Sequence, residues 1–207
     1  MDGIIQFLSD HSLRVLDILG AVVGLVYIIL EYRASIYLWL ASIIMPLIDM
    51  WLYLKAGLYA DFGMAIYYAL AAIYGYVMWR WIARRDKDII VKDEHARGIS
   101  HIPLKRVKYV FVAFSFIWLA IYLILHNLTD STVPVTDSFV NALSIVALWA
   151  LSRKYVEQWL LWIVVDIFCC ALYTYKNIPF KAGIYGLYVV IAVLGYRKWL
   201  FMMKSAR

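Results

Sequence analysis

Charge is what this sequence has least of. Only 16% of its 207 residues are Asp, Glu, Lys or Arg, against about 25% in an average soluble domain. Apolar residues make up 65%, and the mean hydropathy is +0.77. This composition excludes an ordinary water-soluble globule, a disordered chain and a nucleic-acid-binding domain, so nucleic acid is not an expected partner. The formal charge of +6 therefore reads as membrane topology rather than affinity for phosphate. Cysteine is nearly absent. Cys169 and Cys170 are adjacent in an apolar run, which makes neither a disulfide framework nor a metal cluster. His11, His95 and His101 lie outside the apolar runs, and His126 stands at the very end of one. No His-Glu-x-x-His, nucleophile elbow or phosphate-binding glycine loop occurs, and Asp61-Phe62-Gly63 has no kinase context. Neither catalysis, nor a metal, nor a cofactor is expected.

What is present is a series of charge-poor runs, at roughly 15–31, 34–54, 60–82, 107–126, 136–152, 155–175 and 181–200. A membrane-spanning helix needs about 20 apolar residues. Barrel strands would alternate over about 10 residues, which these runs do not do. Helices satisfy their own backbone groups in lipid. The expected fold is all-α and integral to the membrane, with seven transmembrane helices. Residues 1–14 carry Asp2 and Asp10 with only Arg14, so the basic region of a cleaved leader is missing. The first span is expected to be retained.

Seven spans put alternate loops on opposite sides. One side then holds 16 of the 20 Lys and Arg residues; the other holds Arg14, Lys55, Lys176 and Lys181. The positive-inside rule places the C-terminus in the cytoplasm and the N-terminus outside. The one long polar segment, 83–106, carries seven basic and four acidic residues with His95 and His101. It reads as a solvated cytoplasmic connector, with a lipid-headgroup or regulatory contact as the alternative. Trp79, Trp81 and Trp199 stand beside cytoplasmic charges and read as interfacial anchors.

A shift of 120 residues superimposes the two halves without a gap. Asp17/Asp137, Arg33/Arg153, Trp39/Trp159, Leu52/Leu172, Tyr53/Tyr173 and Tyr68/Tyr188 are identical pairs, as are Ala72/Ala192, Gly75/Gly195, Tyr76/Tyr196 and Trp79/Trp199. Shared Trp, Gly-Tyr and Asp in one register are unlike chance matches of Leu and Val. The chain divides into a three-helix repeat at 1–82, the connector at 83–106, a linker helix at 107–130 and a second repeat with its tail at 131–207. Four crossings separate equivalent helices, so the repeats run parallel in a 3+1+3 arrangement of SWEET-like type. Transporters of this build hold substrate between the halves near the midplane.

Intramembrane acids cost about 2.5–3.5 kcal/mol each on insertion scales and are functional candidates by default. Asp166 lies midway between Lys154 and Lys176; Asp49 lies six residues before Lys55. Trp159, Trp162 and Asp166 fall at i, i+3 and i+7, on one helix face. Two indoles and a carboxylate suit a flat cationic ring, by stacking, cation–π attraction and counter-charge. Position 166 maps onto Pro46, so binding is weighted toward the second half. Tyr67, Asn141 and Tyr188 complete the candidate substrate-binding set. These three, with Ser42, Tyr74, Gln158 and Ser144, are also candidates for helix–helix hydrogen bonds. Gly20/Gly24 and Gly183/Gly186 are expected to permit close helix packing.

The run Arg153-Lys154-Tyr155-Val156-Glu157-Gln158-Trp159-Leu160-Leu161-Trp162 resembles the helix 6 signature of the PnuC family of bacterial vitamin transporters. Gly195-Tyr196-Arg197-Lys198-Trp199 does too, and Leu58–Gly63 with Tyr74-Gly75-Tyr76 resembles that family's helix 3. The likeness covers about residues 15–200. It implies a homotrimer in the bacterial inner membrane and facilitated diffusion of an unphosphorylated vitamin, trapped afterwards by a cytoplasmic kinase. Nicotinamide riboside, a flat cation, is the leading substrate. Members that carry it often have Asn where this chain has Asp166. The sister PnuT group carries thiamine, also a flat cation. A binding subunit of an ATP-driven importer and a proton-coupled carrier using Asp166 or Asp49 are further readings.

Overall fold

A computed structural model describes residues 23, 26–56, 59–85, 96–129, 133–175 and 179–205. Helical backbone at 26–32 is followed by six long helices: α1 (Tyr37–Ala56), α2 (Tyr59–Arg85), α3 (Leu104–Leu128), α4 (Pro134–Ser152), α5 (Gln158–Tyr175) and α6 (Pro179–Ser205). Among the described residues there is no strand, only an isolated parallel bridge between Ser100 and Tyr155. Segments Leu104–Asn127, Pro134–Ser152, Gln158–Tyr175 and Ala182–Ser205 are long and apolar enough to cross a membrane. Most of the first expected span, with Gly20, lies outside the described residues. The chain packs as two units, Met1–Val77 and Met78–Arg207. In the second, α3 packs on α4, α4 on α5 and α5 on α6.

Each unit contains the same joint. Before α1, the Ala34 N–H donates to the Glu31 carbonyl and the Ser35 N–H to Leu30. Before α5, 120 residues later, Lys154 donates to Leu151 and Tyr155 to Ala150. Ala34 (φ 52°) and Lys154 (φ 55°) both take the left-handed conformation, which costs a non-glycine residue about 1–2 kcal/mol. This turn is why α5 starts at Gln158 and not at 155. Past the joint, Trp39 lies against Gly75 in the first unit and Trp159 against Gly195 in the second. At Gly195 an added Cβ would come within 2.6 Å of the Trp159 ring. Both glycines are therefore docking surfaces for an indole. At Gly183 and Gly186, by contrast, an added Cβ would meet nothing, which corrects the close packing expected there.

Three further expectations are corrected. Trp79 and Trp199 are not interfacial anchors: they are among the most buried side chains of the second unit. The Trp79 Nε1–H donates to the Leu151 carbonyl (3.0 Å), and Lys154 Nζ sits 4.4 Å from the Trp79 ring centroid. The charge beside these indoles covers them rather than marking a lipid boundary. Trp81, half exposed with Arg85 over its ring, keeps the anchor geometry. Second, the connector is not solvated throughout. Its end at 96–102 docks on the joint before α5 through Ser100 N–H to Lys154 O, Val156 N–H to Ser100 O and Lys154 Nζ to Arg97 O. Glu157 accepts from the Ile102 N–H (3.0 Å) and pairs with His101 (2.7 Å), while Ala96 and Ile99 are buried. Third, Ser42, Ser144 and Asn141 bond carbonyls of their own helices, at Leu38, Val140 and Asp137. A cross-helix bond falls instead to Ser138, which accepts from Trp118 Nε1.

Candidate functional site

The buried residues of α5 are Gln158, Trp159, Val165, Asp166 and Cys169. At 100° per residue all five fall within one sector about 120° wide, and Trp162 falls inside it. The exposed residues Leu160, Val164, Ile167 and Phe168 lie off this sector and offer an apolar surface. An α5 with one polar-studded inner stripe and a lipid-compatible outer surface follows directly from the sequence order.

Along that stripe Gln158, Trp162 and Asp166 stand at i, i+4 and i+8, spanning about 12 Å of helix axis. All three carry polar groups turned away from solvent. Both amide atoms of Gln158 and the Trp162 Nε1–H are buried without a hydrogen-bond partner. Asp166 is 7% exposed. A buried polar group left unpaired costs about 1–3 kcal/mol. The Gln158 amide and the Trp162 N–H, one turn apart, are a standing cost that a polar ligand would remove. The repeat isolates the same three positions: their mates are Leu38, Ser42 and Pro46. The two halves share the joint and the Trp–Gly contact and differ along this stripe.

The Trp159 Nε1–H is likewise buried without a partner, and the ring packs. Its ring covers Gly195 and meets Trp199 edge-on at 5.8 Å, as its mate Trp39 covers Gly75. Its contacts fix α5 against α6. Trp162 packs beside the cluster of Leu143, Val165 and Cys169, with Leu161, Tyr173 and Tyr185 around it. Tyr173 and Tyr185 stack at 5.3 Å, and Tyr188 meets Tyr185 edge-on at 5.9 Å. Tyr188 thus joins the aromatic wall next to this cluster. Tyr185 and Tyr173 belong to the same wall; Tyr173 stood out only as half of the Tyr53/Tyr173 identity, and the i+12 spacing across a helix–helix turn gives no local signal for the pair. Asn141 is exposed, its amide held by its own helix. Tyr67, in the first unit, is half-buried and packs edge-on against Tyr68. The Asp49 side chain lies outside the described residues.

Gln158 is the residue that sequence reasoning undervalued. A glutamine at a helix start reads as a helix–helix hydrogen bond, and only the burial of both its amide atoms without a partner marks it out. We expect Gln158→Leu to raise the melting temperature by a few degrees, because it removes the unpaired amide. The same change is expected to weaken substrate binding at least tenfold. Thermal unfolding and ligand titration on one preparation check both halves; a destabilised protein with unchanged affinity would make Gln158 a structural residue.

The family model for the nicotinamide mononucleotide transporter matches residues 14–201. The nicotinamide riboside transporter PnuC of Escherichia coli is 23% identical over 210 residues, covering 93% of this chain and 87% of the relative. The PnuC of Neisseria mucosa is 26% identical, covering 89% and 72%. The riboflavin/roseoflavin transporter RibM of Streptomyces davaonensis is 26% identical, covering 93% and 87%. Among solved structures, one described as the vitamin B3 transporter PnuC matches with a TM-score of 0.66 and 24% identity, covering 90% of this chain and 81% of that one. That likeness shows the fold.

Proposed function

The chain belongs to the nicotinamide mononucleotide transporter family, and from that membership we propose that it imports unphosphorylated nicotinamide riboside by facilitated diffusion. The family is one of membrane transporters, so the chain moves a solute and does not transform one. The observation that carries the substrate is the Gln158–Trp162–Asp166 stripe. Its one charged group is a buried acid on a helix long and apolar enough to cross a membrane. A carboxylate there attracts a pyridinium cation and repels the phosphate of a mononucleotide. At about 5 Å and an effective dielectric near 20, either effect is on the order of 3 kcal/mol. The Trp162 indole supplies a face for the ring, and the Gln158 amide supplies both donor and acceptor for hydroxyl groups.

Thiamine is the second reading, favoured by the same cation-seeking acid together with its aminopyrimidine. Riboflavin, which the RibM relative carries by name, has no fixed positive charge for Asp166 to meet. The proposal places the protein in the bacterial inner membrane with the basic C-terminus in the cytoplasm, as a homotrimer. A cytoplasmic kinase would trap the vitamin by phosphorylation. Calorimetric titration of the purified protein with nicotinamide riboside, nicotinamide mononucleotide and thiamine tests the substrate. Micromolar binding of the riboside with none of the mononucleotide supports it. Thiamine binding alone would replace the substrate and keep the role of Asp166.

A further inference from the structure

A groove of about 370 Å³ runs between α3 and α4, lined by Tyr109, Val110, Ala113, Ile117, Ile145, Val146 and Trp149, with Arg106 at one end. The α3 lining falls at i, i+3, i+4, i+7 and i+11 from Arg106, a single helical stripe. Beyond Arg106 the polar end is strongly basic. The first turns of α3 carry Lys105, Arg106 and Lys108 and no acidic residue. Arg106 donates to the Tyr155 hydroxyl at 2.8 Å, which ties this end of the groove to the docked connector.

We propose that this groove is a binding site for one anionic phospholipid. An acyl chain lies along the apolar walls from Tyr109 to Ile117, and the phosphate meets Arg106, with Lys105 and Lys108 beside it, at the basic end. Three cations with no acidic residue among them at the start of α3 call for an anionic headgroup. A basic pocket between transmembrane helices on the positive side of a membrane protein has this ligand chemistry. A free phosphate would use Arg106 and leave the groove unfilled. The lipid would clamp the connector to the joint that begins α5, without touching the substrate stripe.

Native mass spectrometry of the detergent-purified protein with phosphatidylglycerol or phosphatidylcholine tests this. Phosphatidylglycerol is expected to be retained at least tenfold better. Arg106→Ala should remove that preference, and Arg106→Lys should keep most of it. Because Arg106 also holds Tyr155, a second variant is needed that leaves every cation in place. Ala113→Trp fills the groove from an exposed position and is expected to lower phosphatidylglycerol retention tenfold. Equal retention of both lipids would overturn the proposal, as would full displacement of the lipid by millimolar inorganic phosphate. So would an Ala113→Trp protein that changes its oligomeric state and still binds the lipid, which would make the groove an interface between copies.

Discussion

Asp166→Asn is expected to abolish the preference for a cationic ring over a neutral one of the same shape. Nicotinamide riboside and its dihydro form differ by the pyridinium charge and little else. With Asp166 in place, the cation gains on the order of 3 kcal/mol from a carboxylate about 5 Å away at an effective dielectric near 20. Asparagine keeps the acceptor oxygen and removes the charge. The ratio of the two affinities should therefore fall more than tenfold, while the melting temperature holds or rises because a buried charge has gone. Asp166 is 7% exposed, so the substitution acts at a buried position. An unchanged ratio would remove Asp166 from the substrate's surroundings.

Gly195→Val is expected to cost stability rather than selectivity. An added Cβ would come within 2.6 Å of the Trp159 ring, against side-chain atoms of an indole that is 3% exposed and already braced by Trp199 at 5.8 Å. Overpacking of this kind costs about 1–3 kcal/mol, which lowers the melting temperature of a chain this long by roughly 2–12 °C. Trp159→Phe frees the space, so the double variant should recover at least half of the loss. That coupling distinguishes a direct clash from general intolerance of the site. Gly75→Val should behave alike through Trp39, because the contact is duplicated. A Gly195→Val protein as stable as the parent would contradict the role assigned to both pairs.

The all-helical class, with several helices apolar enough to span a membrane, was legible because lipid imposes it. Apolar runs had to be helices, and the runs at 60–82 and 181–200 became α2 and α6, whose limits, Tyr59–Arg85 and Pro179–Ser205, differ by 120 at both ends. The repeat pairs Trp39/Trp159 and Gly75/Gly195 were visible as identities; that each Trp lies on its Gly was not, since the partners are 36 residues apart. Trp79 and Trp199 misled because indoles beside charges look the same in sequence whether they face headgroups or a core. The Lys154 that covers Trp79 is 75 residues away and depends on a left-handed turn that no local residue preference announces. The docked end of the connector escaped for the same reason, its bonds running from Ser100 to a joint more than 50 residues later.

Within the candidate site, Trp162 and Asp166 were legible as an aromatic and an acid on one helix face. Trp159 was legible as a neighbour, but its contacts are those of a packing residue repeated in both halves. Gln158 needed coordinates, because an unpaired buried amide is a property of surroundings and not of spacing.

The most direct test is uptake into proteoliposomes holding the purified protein, without any kinase and without a proton gradient. Labelled nicotinamide riboside should enter until inside and outside concentrations are equal, and nicotinamide mononucleotide should stay out. Entry of the mononucleotide, or accumulation of the riboside above equality, would contradict a passive importer selective for the unphosphorylated cation.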